Sequence, residues 1–264
     1  MVVPDAAAAI RVLSRVNYFR LSAYWYTDID LDAPNQTFHE GTDFDRVVRL
    51  YEFDQQLRQL TWKRIEIIEI ALRSCISNVL VSQAGPFAHL DPQLAMDRGT
   101  WVRVSLSMQR EYQRSREDFA ERYKSQQPAL ILPPLWATVE MLPLGSLISL
   151  VKNLEQRSLR QGIAKNFGTD EKVLLSCLAQ LNQIRNICAH HGRLWNRRFS
   201  CAAIVPHRIN ESHHALIKRE PGQERRLHNA LVMLDLFESQ IVGASTLLSD
   251  VEDLKLEYAD LRLQ

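Results

Sequence analysis

Apolar residues recur at three- and four-residue spacing along most of the chain, the period of one face of an α-helix. The longest such run lies in "GTDFDRVVRLYEFDQQLRQLTWKRIEIIEIALRSCISNVLVSQAGP". There Val47, Leu50, Tyr51, Phe53, Leu57 and Leu60 continue into Ile65, Ile68, Leu72, Ile76 and Val79. Thr42 is the expected cap of this helix, Asp43 and Asp45 suit the positive end of its dipole, and Gly85-Pro86 is the expected stop. Upstream, "RVLSRVNYFRLSAYWY" puts Val12, Val16, Phe19 and Ala23 on one helical stripe and Tyr18, Leu21 and Trp25 on another, and "TDIDLDAPNQTFHEG" reads as a loop. Downstream, 101–124 reads as one charged helix and "SQQPALILPPL" as a proline-broken connector. Helices follow at 136–141 and from 146 to about 156, separated by Pro143-Leu144-Gly145. Asp170 opens "DEKVLLSCLAQLNQIRNICAHH", whose apolar face is Val173, Leu174, Cys177, Leu178, Leu181 and Ile184, and Gly192 suits the position just past its end. An irregular stretch, 196–222, precedes a final amphipathic helix carrying Leu227, Leu231, Leu234 and Ile241.

The pattern predicts an all-α fold in a single domain (1–264), with an N-terminal helical element over 4–26, a core over about 42–198 and a C-terminal helical extension over about 199–264. No internal repeat or low-complexity tract interrupts it.

Composition narrows the function classes more than it selects one. A chain of 264 residues, 46% of them hydrophobic, can bury a sizeable core. A formal charge of +1 makes no case for bulk attraction to nucleic acid or membrane, so any anion site is local. Cys75, Cys177, Cys188 and Cys201 show no CxxC spacing and are expected as free thiols in a reducing compartment. The start, "MVVPDAAAAIRVL", has no basic segment ahead of a long apolar one, and no run is long enough to span a bilayer, so a cytoplasmic protein with no membrane partner is expected. Cys188, His190, His191, Cys201, His213 and His214 match no standard zinc-finger spacing, and neither a metal nor a cofactor is expected.

Candidate chemistry concentrates in "LNQIRNICAHHGRLWNRR". Asn186 and His190 are i,i+4 neighbours on a helix, so the amide is placed to orient the imidazole. Arg185 and His190 flank the same turn, compatible with both reaching one phosphate at the helix end. The negative end of the helix dipole favours an imidazolium at His190, a group suited to proton transfer. From Arg185 to Arg226, nine basic residues (Arg185, Arg193, Arg197, Arg198, Arg208, Lys218, Arg219, Arg225 and Arg226) face three acidic ones, the local charge footprint of a nucleic-acid site. Trp195 offers a ring on which a base can stack. The same residues also fit a solvated polar helix cap, with Trp195 in the core and the arginines on an open face.

Two further groups have structural readings first. Glu69 and Arg73, with Glu66 nearby, are expected as an i,i+4 ion pair facing a helix neighbour, with a supporting role behind the nucleic-acid site as the alternative. Tyr18, Phe19, Tyr24, Trp25 and Tyr26 read as core or interface packing, or as a platform for RNA.

The blocks "VNYFRLSAYWY", "GTDFDRVVRLYEFDQQLRQL", "IEIIEIALRS", "PPLWATVEMLPLGSLISL" and "IRNICAHHGRLWNR", in this order from about Leu13 to Arg198, resemble the Abi-like family of bacterial abortive-infection proteins, the AbiD/AbiF type. "RNICAH" has the R-x4-H form of HEPN ribonucleases. Members of the family usually carry a further helical segment ahead of the "NYFRLSAYWY" block, whereas this chain begins close to it. The resemblance implies a HEPN-like helical bundle with additional N- and C-terminal helices, paired through its R-x4-H helix in a homodimer. It implies a toxin that cuts RNA without a metal, by attack of the ribose 2′-OH on the adjacent phosphate. In that scheme His190 is the general acid or base, Arg185 stabilises the transition state, and Asn186 orients His190 or contacts phosphate. His191 is a second acid or base, a phosphate ligand or a cap. From the local charge and the stacking ring, Arg193, Trp195, Arg197 and Arg198 are the expected RNA contacts. An antitoxin RNA or protein is a further expected partner, and a non-catalytic RNA-binding or regulatory module is the alternative function.

Overall fold

The structure, a computed structural model, describes residues 1–30, 33, 37–206 and 209–261, Thr27 by its backbone alone. Among the described residues there are twelve α-helices, five short 3-10 turns and no strand, so the fold is all-α. None of these helices is long and apolar enough to cross a membrane.

The helices are α1 (Ala6–Leu13), α2 (Tyr18–Trp25), α3 (Phe44–Ala84), α4 (Arg98–Arg114), α5 (Asp118–Gln126), α6 (Leu135–Met141), α7 (Leu144–Lys152), α8 (Arg157–Lys165), α9 (Glu171–Ala189), α10 (Glu211–Leu216), α11 (Leu227–Val242) and α12 (Leu247–Glu257). The chain condenses into two compact units: 1–62 with 186–197 and 246–264, and 63–185 with 198–245.

In the first unit, Leu21, Tyr24 and Trp25 of α2, Val47, Leu50, Phe53 and Leu57 of α3, Leu194, and Val251 and Leu254 of α12 are all buried. Tyr258 packs edge-on against Phe53, its ring centroid 5.7 Å away, and its hydroxyl accepts from Gln56 Nε2 at 2.8 Å. The aromatic block divides: Tyr24 and Trp25 belong to this core, whereas Tyr18, Tyr26 and above all Phe19, 82% exposed, face outward. The single N-terminal helix suggested by the double stripe is two, because Asn17 caps α2 by accepting from the Phe19 N–H at 2.8 Å.

In the second unit, Ile65, Ile68, Leu72, Ile76 and Leu80 of α3 are buried with Met108 of α4, Leu147 and Val151 of α7, Leu178 and Leu181 of α9 and Leu234 and Phe237 of α11. Phe167 meets Phe237 edge-on at 5.7 Å. Helix α4 packs on α6 and α7, and α10 on α11.

Several boundaries differ from the periodic reading for local reasons. The cap of α3 is Asp43, whose carboxylate accepts from the Asp45 N–H at 2.9 Å, while the Thr42 hydroxyl donates to His39 O. Gly85, at φ +82°, stops α3 as expected. The charged run at 101–124 is two helices, since Ser115 turns to an extended conformation (ψ 134°). Helix α8 lies where no helix is apparent in the sequence, clamped to the first turn of α9 by Arg157 and Arg160, which pair with Glu171 at 2.8 and 2.7 Å. Helix α10 interrupts the irregular stretch, and α12 follows the helix expected to be last.

Candidate active site

Helix α9 presents the candidate residues. Its start is set by Asp170, which accepts from the N–H groups of Lys172 and Val173 at 2.8 and 3.0 Å. Its apolar face, Val173, Leu174, Cys177, Leu178, Leu181 and Ile184, is buried, which fixes the helix about its axis and turns Asn186 outward.

The end of α9 is a Schellman turn: His191 N–H donates to Cys188 O at 3.0 Å and Gly192 N–H to Ile187 O at 2.8 Å. The left-handed residue of this turn is His191, at φ +54°, and not the expected Gly192. A Cβ at Gly192 would meet only ordinary contacts, the nearest being Ile187 Cγ2 at 3.4 Å. His190, the last residue before the reversal, is exposed, and its imidazole has no hydrogen-bond partner among the described residues. Asn186, also exposed, makes no side-chain hydrogen bond to it.

The turn after α9 is held by groups that the motif itself does not contain. Asp54 of α3, fully buried, accepts from the Leu194 N–H with both carboxylate oxygens at 3.1 Å and from the Trp195 N–H at 2.6 Å. It also accepts from the Tyr24 hydroxyl at 2.6 Å and pairs with Arg58, whose guanidinium reaches Gly192 O at 3.2 Å. Arg20 donates to His191 O. Burial, and then the neighbouring Asp54 carboxylate, push the Tyr24 hydroxyl far above its ordinary pKa, so it stays a donor. The sequence carried one sign of this: Asp54 and Arg58 stand i,i+4 on the stripe that Val47, Leu50 and Leu57 define as core.

Arg185 is one-third exposed, and its Nε lies 3.8 Å from Glu69 Oε2. Glu69 is held more tightly by Arg73 at 2.6 Å, the expected i,i+4 pair. Arg73 also donates to the carbonyls of Val139 and Leu142, so the pair does face a neighbouring helix, α6. Glu69 thus stands between Arg73, its close partner, and Arg185.

The other expected RNA contacts fall into different settings. Arg193 donates to Ala23 O at 2.7 Å and Arg197 to Arg193 O at 3.3 Å, so both do local structural work. Trp195 is half-buried, and its Nε1 has no partner among the described residues. Arg198 is exposed, and its backbone bridges to Arg226. Arg225 donates to Ser200 O and Arg219 meets His214 Nε2 at 2.9 Å, so the basic segment is divided among local contacts, while Arg208 lies outside the described residues.

All four cysteines are free, and burial pushes the Cys188 thiol up to about 12. His213 is buried with Nδ1 2.6 Å from Asn210 Oδ1 and Nε2 2.9 Å from Asp235. Among the described residues no group of three or more His, Cys, Asp or Glu is placed to hold a metal ion.

Residues 11–196 match the family of Abi-like proteins, most of the chain and every residue from Arg185 to Trp195. No curated protein and no solved structure matches it.

Proposed function

The chain belongs to the Abi-like protein family, and from that membership we propose that it is a HEPN-type endoribonuclease acting in abortive infection, the self-disabling response of a bacterium to phage. The observation that carries this reading is His190: an exposed imidazole without an internal hydrogen-bond partner among the described residues, at the end of a helix that bears Arg185 five residues earlier.

In the reaction a base takes the proton of the ribose 2′-OH, and the O2′–P bond forms as the P–O5′ bond breaks. An acid returns a proton to the departing 5′-oxygen. The products are a 2′,3′-cyclic phosphate and a free 5′-OH, and no redox change or metal is required. Two proton-transfer groups are needed, and His190 from each of two subunits supplies both. Arg185 stabilises the charge that builds on the phosphoryl oxygens, Asn186 contacts phosphate, and His191, next in the chain, is a further imidazole at the helix end. Arg198 and the ring of Trp195 supply contacts to flanking RNA.

The test is cleavage of mixed RNA by the purified protein in excess EDTA, with the new ends identified chemically. Cyclic-phosphate ends are expected, and His190→Ala and Arg185→Ala are each expected to lower the rate by about 1000-fold or more while remaining folded. Arg185→Lys, which keeps the charge and loses the planar fork, is expected to lose most activity as well. Full cleavage by folded His190→Ala sinks the proposal.

A further inference from the structure

Beside the end of α9 lies a groove of about 530 Å³ within the first unit, in the size range of small-ligand sites. One wall is a stripe of α3, Tyr51, Gln55, Arg58, Gln59 and Trp62, and His191 stands on the other wall. These α3 positions repeat at i, i+4, i+7, i+8 and i+11, so they share one face of the helix, with an aromatic ring at each end. Along the axis the stripe runs roughly 16 Å, enough for a short run of nucleotides.

The chemistry of the lining is specific. Gln55 and Gln59 are exposed, and their amides have no hydrogen-bond partner among the described residues. Each amide carries a donor and an acceptor side by side, the complement of a base edge. Trp62, 38% exposed, offers an indole face at one end, and the Tyr51 ring, braced edge-on by Tyr24 at 5.5 Å, stands at the other. Among the described residues that line the groove there is no carboxylate, and Arg58, which lines it, is neutralised by its pair with buried Asp54, so the groove is suited to base edges and rings rather than to a bare charge.

We propose that this groove is a binding subsite for unpaired bases of single-stranded RNA, which stack on Trp62 and are read at their edges by Gln55 and Gln59. It rests on the ribonuclease reading above and adds to it the form of the substrate. His191 lines the groove and follows His190 in the chain, so in this proposal the groove holds nucleotides adjoining the phosphate that His190 addresses. Duplex RNA hides its base edges and faces, and is a poor ligand.

The experiment measures binding of a fluorescent ten-nucleotide single-stranded RNA, and of its duplex, to full-length His190→Ala protein. Gln55→Ala/Gln59→Ala and Trp62→Ala are then added in that background. Cleavage by the otherwise unaltered protein is followed in parallel, and self-association by sedimentation. Kd for the single strand is expected to rise about tenfold with either change, with the duplex binding more weakly and indifferent to both. Cleavage by the unaltered protein together with a single-strand Kd that stays within about twofold in the glutamine variant overturns the subsite and leaves the ribonuclease standing. A protein that binds RNA through Gln55 and Gln59 but never cleaves overturns the nuclease and supports the subsite. Loss of self-association in the glutamine variant shows the groove occupied by a second copy of the chain, and overturns it.

Discussion

At the scale of single residues, Asp54 organises more of the candidate site than any member of the motif. It is fully buried, and its two oxygens take bonds from Tyr24, Arg58 and the N–H groups of Leu194 and Trp195. Removing it leaves a buried guanidinium without its counter-charge and three donors without their acceptor, so Asp54→Ala is expected to cost about 4 kcal/mol in urea denaturation. Tyr24→Phe removes one of those bonds and spares the charge, and about 1 kcal/mol is expected for it. Equal losses from the two would show that Asp54 is not the centre of the network. Glu69 has a different task. Held by Arg73, it lies against Arg185, and Glu69→Gln is expected to lower RNA cleavage about tenfold, less than Arg185→Ala, with rescue in Glu69→Asp absent because the shorter side chain cannot reach. Arg185, Asn186, His190 and His191 are legible in the sequence because they adjoin one another in a helical register. Asp54 and Arg58 show in the sequence only as a charged i,i+4 pair on a core stripe, and Arg20 not at all, because the turn they hold lies well over one hundred residues away.

At the scale of elements, the end of α9 is the point of tension. An L-residue in the left-handed region is disfavoured by roughly 1 kcal/mol relative to glycine, and His191 occupies it directly beside a glycine that does not. His191→Gly is therefore expected to raise stability by about 0.5–1 kcal/mol. The cleavage rate of the same variant separates the remaining roles of His191. Retained activity marks a turn residue, and a loss matching that of His190→Ala marks a proton-transfer group. The long helices were legible because α3 and α9 sustain their apolar period over many turns and carry recognisable ends, Gly85 and Asp170. Short ones were not. Helix α8 buries only Leu159, Ile163 and Ala164, too few to establish a period, and α12 buries Leu247, Val251 and Leu254 among acidic residues. The break between α4 and α5 contains neither glycine nor proline, so nothing in residue type announces it.

At the scale of the whole molecule, His89 couples stability to pH. It is buried, its Nε2 is 3.4 Å from the Thr138 hydroxyl, and burial lowers its pKa to about 4. The unfolded chain takes up a proton near pH 6.5 and the folded one near 4, so the stability that neutral His89 provides is complete above pH 6.5 and falls away as pH drops toward 4. From pH 7 to 5 the unfolding free energy is expected to fall by about 2 kcal/mol more in the unaltered protein than in His89→Leu. Parallel pH dependence in the two proteins overturns the assignment. The all-α class was readable from periodicity, but the two units were not, because each is assembled from segments far apart in the chain. Periodicity reports that a face is covered and is silent on what covers it.

The bond that the Leu194 N–H donates to Asp54 also bears on the order in which the chain assembles during its own synthesis. The two residues are separated by 140 positions. At roughly 5–20 residues per second, Asp54 leaves the ribosome on the order of ten seconds before its partners exist. Until then the buried carboxylate has no backbone to anchor, and the turn carrying His190 and His191 has not been made. In a chain growing from its N-terminus, this turn therefore closes only after Leu194 and Trp195 have emerged to meet Asp54.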